Sequence, residues 1–216
     1  MNVYKKNTMK DLVKDNSYVG RGIVIGKTED GTKAAVAYFI MGRSDNSRNR
    51  IFETTDDGIR TRAFDESKMV DPSLIIYHPV RRVGEVTVVT NGDQTDTIRD
   101  GLLASKSYID ALRTRCYEPD GPNYTPRISG VVEKDGAFCL SILKSADGGP
   151  ACNHRYFYEY DAPLAGEGRF IHTYQENAEP LPSFEGEPRR VAITAPDAQT
   201  LASQVGTSLN GGNKVS

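Results

Sequence analysis

The sequence predicts an α+β fold, two packed β-sheets with helices outside them. Three observations point there. Apolar stretches joined by short turns recur through most of the chain, helical periodicity is confined to a central region and a C-terminal one, and neither β–α–β alternation nor an internal repeat is present. The 216 residues suffice for one large core or two small ones. The linkers are too short and scattered to mark a second domain, so residues 1–216 read as one domain with 1–16 as an N-terminal extension.

Each element has a local reason. Residues 1–16 are lysine-rich and lack the apolar core of a signal peptide, with a short helix expected over 9–14. Residues 18–26 read as a strand whose glycines, Gly20, Gly22 and Gly26, mark close approach of backbone to something else; with no helical pattern after them they are not a dinucleotide fingerprint. Asp30-Gly31 makes a hairpin turn, and 34–41 returns as an almost wholly apolar strand, which implies burial on both faces. Residues 42–50 follow as a polar loop containing Arg43, Arg48 and Arg50, the residue type suited to planar two-point contact with phosphate or carboxamide groups. Residues 51–64 form a hairpin around Asp57-Gly58, and 73–78 read as a strand ended by Pro79, with Tyr77 as its polar tip.

Residues 86–98 organise the rest. The β-branched run 86–90 is a strand, Asn91-Gly92 tolerates positive φ, and Thr95 or Asp96 is the expected cap of a following helix. A strand ending in a polar turn at a helix N-terminus gathers free N–H groups, the makings of an anion cradle; an ordinary strand-to-helix turn is the alternative. From 98 to 116 the apolar spacing is helical with a gap at 105–107, giving one long helix or two in tandem. Three prolines and a glycine make 117–128 a rigid irregular loop carrying Glu118, Asp120 and Arg127. A hairpin over 128–143, tyrosine-rich strands at 155–160 and 169–174, a proline loop at 179–188 and a helix begun by Asp197 and stopped by Asn210-Gly211-Gly212 complete the chain. Tyr156, Tyr158 and Tyr160 follow strand period two and so share a sheet face.

Composition narrows the function. Hydrophobic content of 38%, charged content of 26% and a formal net charge of -2 fit a globular protein without the basic excess of a nucleic-acid or membrane-surface binder, so an anionic ligand must be held by local arginines. Cys116, Cys139 and Cys152 stand at neither paired nor metal-like spacing, which implies a reducing compartment, with the cytoplasm as the default, and no apolar run approaches a transmembrane span. His78, His154 and His172 are dispersed, and no Walker loop, Gly-x-Ser-x-Gly elbow or His-Glu-x-x-His helix occurs. Arginine, tyrosine, carboxylate and a polar turn remain, a set suited to holding an anion and moving protons on a neutral polar substrate.

Tyr18-x-Gly20-Arg21, Arg43-Ser44 with Asn49-Arg50, Asn91-Gly92 with Thr95-Asp96-Thr97-Ile98, Tyr117-Glu118-x-Asp120, Thr125-Pro126-Arg127-Ile128 and Thr173-Tyr174 occur in this order. Together they resemble the stand-alone IMP cyclohydrolase family best known from archaea, over residues 18 to about 175. That resemblance implies a four-layer αββα sandwich like that of N-terminal nucleophile hydrolases, and closure of the last purine ring: 5-formamidoimidazole-4-carboxamide ribonucleotide loses water to give inosine monophosphate. It implies no cofactor or metal. It puts Arg50, Tyr77 and Glu118 on the proposed catalytic positions, Arg50 orienting the reacting groups and Tyr77 and Glu118 exchanging protons in an order the sequence leaves open. Arg21, Arg43, Asn91, Gly92, Thr95, Asp96, Thr125 and Arg127 would hold phosphate, ribose and base edges. Two other readings stay open: an N-terminal nucleophile amidohydrolase using Thr8 or Ser17, and a purine-ribonucleotide-binding protein without turnover. Partners other than the ribonucleotide are not expected, neither nucleic acid nor membrane, and association into a homo-oligomer is left open.

Overall fold

The structure, a computed structural model, describes residues 5–146 and 149–216, and these form an α+β fold of two antiparallel sheets with few helices. The elements in chain order are α1 (Met9–Val13), β1 (Arg21–Lys27), β2 (Ala34–Ile40), α2 (Asp45–Arg48), β3 (Arg50–Thr55), β4 (Gly58–Ala63), β5 (Val80–Val83) and β6 (Val86–Thr90). There follow α3 (Gln94–Leu103), α4 (Tyr108–Leu112), β7 (Arg127–Val132), β8 (Phe138–Ala146), β9 (Gly149–Tyr160), β10 (Glu167–His172), β11 (Arg189–Ala192) and α5 (Ala198–Ser208). One sheet has four strands in the order β11-β10-β1-β2, the other seven in the order β3-β4-β5-β6-β7-β8-β9.

Strand alternation explains how the sheets are covered. On β1, Ile23 and Ile25 point to one face and join Ile171 against Val89, Ile128, Leu140 and Ile142 of the larger sheet. Val24, between them in sequence, points the other way and packs with Phe39 and Phe170 beneath Met9 and Val13 of α1 and Leu201 and Val205 of α5. The larger sheet repeats the device: Val88 and Val131 face outward under Ile98 of α3 and Tyr108 and Leu112 of α4. Burying one such aliphatic side chain contributes roughly 2 kcal/mol, so three clusters of this kind favour this layering over a one-sided sheet.

Several expectations change. β2 is an edge strand, so Val36, Ala37 and Tyr38 are only partly buried, against the expected burial on both faces; β1 and β7 are strands buried on both faces. Residues 73–78 are a turn, in which Ile75 N–H and Ile76 N–H both donate to Pro72 O at 3.1 and 2.9 Å, and the strand lies beyond Pro79 as β5. Pro72 and Pro79 bracket a segment too short to pair on both sides. β11, within a proline-rich region, went unread. The central helical region is two helices in tandem, interrupted at Ser105, whose φ is 58°.

The turn after β6 departs most from expectation. α3 starts with Asp93 at its N-cap and Thr95 inside its first turn, so neither Thr95 nor Asp96 is the cap. The side chains of the turn are engaged within the fold. Asn91 Nδ2 donates to Pro126 O at 2.9 Å, while Asn91 Oδ1 accepts from Ile128 N–H at 2.8 Å and from Gln94 Nε2 at 2.9 Å. Thr95 Oγ1 lies 2.6 Å from Thr90 Oγ1 and donates to Gly92 O. This knot ties β6, α3 and the entry to β7 together. Asn91→Ala would leave Pro126 O and Ile128 N–H without the amide, while Gln94 Nε2 keeps its bond to Ile128 O at 3.2 Å, and is expected to cost about 3 kcal/mol in unfolding free energy. Denaturant titration of the two proteins checks it, and an unchanged midpoint would make the knot energetically idle.

Candidate active site

A cleft of about 290 Å³ opens where chain segments remote in sequence converge: the start of β1, the loop after β2, the turn at 73–78, the proline loop before β7 and the exit of β10. Gly20 allows the first and last of these to meet. Its φ is 77°, and a Cβ there would fall 2.1 Å from Thr173 Oγ1 and 2.5 Å from the Tyr174 ring. With that contact made, Arg21 N–H donates to Thr173 Oγ1 at 3.1 Å and the Arg21 side chain is fixed at the cleft wall.

The proline loop places Glu118. Its N–H donates to Thr125 O at 2.9 Å, and Thr125 is held in turn by Asp120, which accepts from Thr125 N–H at 2.6 Å and from its hydroxyl, and by Tyr174 Oη at 2.6 Å. The Glu118 carboxylate is 2% exposed, and its Oε1 lies 3.9 Å from Arg127 Nη1. Gly92 closes the other side: a Cβ there would fall 3.3 Å from Glu118 Oε1 and 2.7 Å from Arg127 Nη1, so a side chain would displace the Arg127 guanidinium. Arg50, first residue of β3 and 1% exposed, is anchored by Nε to Ser47 O at 2.9 Å and by Nη2 to Ser47 Oγ at 3.1 Å. Tyr77 follows the turn that contributes Leu74 and Ile75 to the cleft, and its hydroxyl is 2.7 Å from that of Tyr38 on β2.

These groups perturb one another. Burial pushes the Glu118 carboxyl up to about 7, against the pull of Arg21, Arg127 and Arg50 and with a small push from Asp120. Burial opposes the charge on Arg21, yet Glu118 and the tyrosines Tyr174, Tyr18 and Tyr77 outweigh it and its pKa is raised. Arg50 is lowered by burial, with Tyr77 opposing and Arg21 adding to the effect. Among the described residues, eleven buried side-chain polar atoms lack a hydrogen-bond partner, and five of them, Arg21 Nε, Asn46 Oδ1, Arg50 Nη1, Glu118 Oε1 and Arg127 Nε, belong to residues in or beside the cleft. Each such atom costs about 1–3 kcal/mol, and their concentration in one place marks a site prepared for a polar ligand. The groove of about 430 Å³ between β2 and α5 is larger but walled mainly by aliphatic side chains, without that convergence.

The structure therefore brings some of the expected residues together and leaves others apart. Arg21, Arg43, Glu118 and Thr125 line the cleft; Arg50 borders it through Ser47; Tyr77 is buried within electrostatic reach of Arg21 and Arg50; Gly92 and Arg127 abut Glu118. Asn91 and Thr95 are buried in the knot beneath. Asp96 faces elsewhere, 2.8 Å from Arg81 Nε and 3.3 Å from Arg99 Nη1. Arg43 lies over the Tyr18 ring at 5.2 Å and binds Asn177 Oδ1, Ala178 O and Glu179. At the N-terminus of α3, the place of the expected anion cradle, Asp93 makes no side-chain cap hydrogen bond, and its carboxylate bridges Arg115 and Arg127 at 2.6 Å each. Tyr38, Asn46 and Ser47 escaped the sequence reading. A lone tyrosine in an aliphatic strand, whose hydroxyl needs a partner, was the available signal for the first.

Thr8 caps α1 by accepting from Asp11 N–H at 3.1 Å, next to Asn7, which bridges to Val191, and Ser17 Oγ accepts from Asn177 Nδ2 at 2.9 Å. Among the described residues no group of three or more His, Cys, Asp or Glu could hold a metal ion, the three cysteines are free, and no helix is long and apolar enough to cross a membrane.

A family model described as IMP cyclohydrolase-like protein matches residues 18–216. The chain is also similar to curated archaeal proteins named IMP cyclohydrolase. That of Methanococcus maripaludis strain C7 is 37% identical over 126 residues, 56% of this chain and 61% of the relative, so this match spans less than two thirds of that protein. The strain C5 protein is 35% identical over 182 residues, covering 77% of this chain and 86% of the relative. That of Methanopyrus kandleri is 30% identical over 190 residues, covering 78% and 89%.

The raised Glu118 pKa has a consequence for stability. Between the ordinary 4.5 and about 7 the folded protein holds a proton that the unfolded chain has released, so the contribution of Glu118 to stability is full below pH 4.5 and falls as pH rises through 7. Glu118→Gln is expected to remove that slope, seen as denaturant midpoints that no longer decline across this range. A slope unchanged by the substitution would assign it to another group.

Proposed function

The chain belongs to the IMP cyclohydrolase-like family, and from that premise we propose that it closes the purine ring of 5-formamidoimidazole-4-carboxamide ribonucleotide in this cleft, with loss of water, to give inosine monophosphate. It is a cyclohydrolase of purine biosynthesis acting on a purine ribonucleotide. The observation that carries the site assignment is the meeting of unpartnered Arg21 and Glu118 atoms in one cleft, with the unpartnered Arg50 guanidinium acting on both and a carboxyl that titrates at about 7 among them.

The chemistry asks for proton movement more than for a nucleophile. The carboxamide nitrogen attacks the formyl carbon and gives up a proton, which Glu118 accepts as carboxylate, while Tyr77 donates its proton to the formyl oxygen as the C–N bond forms. The resulting carbinolamine then loses its hydroxyl as water on receiving the Glu118 proton. The formamido nitrogen returns a proton to Tyr77 as the ring C=N bond forms. A carboxyl pKa near 7 suits Glu118 to both directions of transfer at neutral pH. Arg50 presents a planar guanidinium with Nη1 free to orient the amide and formyl groups and to offset charge on the formyl oxygen. Arg21 faces the same carboxylate, and Arg43, Thr125 and Arg127 are the remaining contacts for phosphate, ribose and base edges.

The layering, helices on the outer face of each sheet, supports the four-layer αββα sandwich of the N-terminal nucleophile hydrolases, and one domain of cyclohydrolase type over the whole chain. Here Ser17, the counterpart of a nucleophile, binds Asn177 instead. We place the enzyme in the cytoplasm.

Adding the formamido ribonucleotide and following purine absorbance tests the activity; tight binding of inosine monophosphate without conversion would leave a binding protein in its place. Tyr77→Phe and Glu118→Gln are each expected to lower turnover about a hundredfold with nucleotide binding kept. Arg50→Lys should lose most activity, since a point charge does not reproduce a two-point contact. Turnover unchanged in any one of these removes that residue from the mechanism. Activity is expected to survive exhaustive chelation, and loss that a divalent ion restores would replace the proton-transfer scheme.

A further inference from the structure

Tyr38 lies outside every motif that marks this family in the chain, yet its position is particular. It stands on β2, opposite Ile23 of β1, with its ring 5.9 Å from that of Phe52. The hydroxyl reaches past this apolar setting to Tyr77 Oη at 2.7 Å, its hydrogen-bond partner among the described residues. Arg21 and Arg50 act on it electrostatically, and burial raises its pKa well above the ordinary phenol value. Two neutral phenols in contact share one hydrogen bond, so one hydroxyl donates and the other accepts.

Resting on the reading of Tyr77 as proton donor, we propose that Tyr38 is a positioning residue for the ring closure, whose hydroxyl donates to Tyr77 Oη and so turns the Tyr77 proton toward the substrate. The opposite arrangement would direct the Tyr77 proton to Tyr38 and away from the formyl oxygen. When the proton leaves Tyr77, its oxygen gains negative charge and the bond from Tyr38 becomes charge-assisted, stronger than in the ground state. An interaction that strengthens along the reaction raises turnover without tightening substrate binding. The neighbouring guanidiniums of Arg21 and Arg50 favour the same charge shift, and burial keeps Tyr38 protonated so that it remains a donor. The Tyr38 proton stays on Tyr38 throughout. Only the Tyr77 proton is transferred.

The test is a double-substitution cycle read by kcat and KM, with melting midpoints of all proteins measured alongside. Tyr38→Phe is expected to lower kcat about tenfold with KM within about twofold, and Tyr38→Phe combined with Tyr77→Phe to be no slower than Tyr77→Phe alone. Installing 3-fluorotyrosine at position 38, which keeps the ring and strengthens the donor, should retain or raise kcat. Tyr38→Phe with wild-type kcat, or effects of the two substitutions that multiply, overturns the role of Tyr38 while leaving Tyr77 in place. A harmless Tyr77→Phe overturns both assignments. If Tyr38→Phe melts early, the fluorinated protein decides: retained folding with kcat lowered as far as in Tyr38→Phe counts against the proposal.

Discussion

A carboxylate that is 2% exposed and within reach of three arginines is the constraint around which this molecule is arranged. Buried charge is costly unless paired, and Glu118 is only loosely paired, 3.9 Å from Arg127 and without a hydrogen-bond partner for Oε1. Direct bidentate pairing would have fixed the carboxylate as an anion with a depressed pKa. The spacing instead leaves burial dominant and the pKa near 7, so the site holds a group able to take and return a proton. The cost falls on folding stability, and the surrounding fold must offset it.

It does so through rigid supports on every side. Arg50 is held by Ser47, Arg127 by Asp93 and Gln94 at 2.6 and 2.8 Å, and Glu118 by its backbone bond to Thr125. Thr125 belongs to a chain running from Asp120 through Thr125 to Tyr174, and Tyr174 stacks on Tyr18 with ring centroids 5.8 Å apart. These supports come from both sheets. The contact of Ile23, Ile25 and Ile171 with Val89 and Ile128 thus fixes the geometry of the cleft as well as the core. A shift of about 1 Å between the sheets would separate Arg21 from Glu118, a displacement that typically costs about a hundredfold in rate.

Sequence pattern reveals what is periodic and hides what is relational. The hairpins 51–64 and 128–143, the capped helix at Asp197 and a helical central region follow from turn residues and spacing, and all are present; the spacing left one central helix or two open, and two are found. Val24 and Ile23 show why burial of β1 was harder to assign than its existence: a strand covered on both faces has no alternation, and the same lack of alternation misled for the edge strand β2. Residues 73–78 carry a β-branched, aromatic composition but sit between prolines, where backbone constraint outweighs propensity. In the site, Glu118 and Arg50 were legible by resemblance, whereas Tyr38 becomes meaningful only once β2 brings it 2.7 Å from Tyr77. Asn91 shows the converse case. Polar residues in a strand-to-helix turn suggested a ligand cradle, yet three hydrogen bonds to Pro126, Ile128 and Gln94 give its amide a structural task.

The reaction proposed for the cleft expels water, and the segment after β10 bears on how water is kept out. Residues 175–183 cross beside the cleft, contributing Leu181 to its wall and joining Arg43 through Asn177, Ala178 and Glu179. Arg43 stacks on Tyr18, which rests on Tyr174, so the crossing segment is tied to the same aromatic stack that supports Thr125. The Arg43–Glu179 pair is solvent-exposed and by itself contributes little to stability, about 0–1 kcal/mol. The segment is held at further points: Asn123 Oδ1 accepts from Leu181 N–H, Ser17 Oγ accepts from Asn177 Nδ2 and Asn16 Nδ2 donates to Gln175 O, each at 2.9 Å. The groups proposed to exchange protons are thereby held in a buried setting of low dielectric, where their interactions count most.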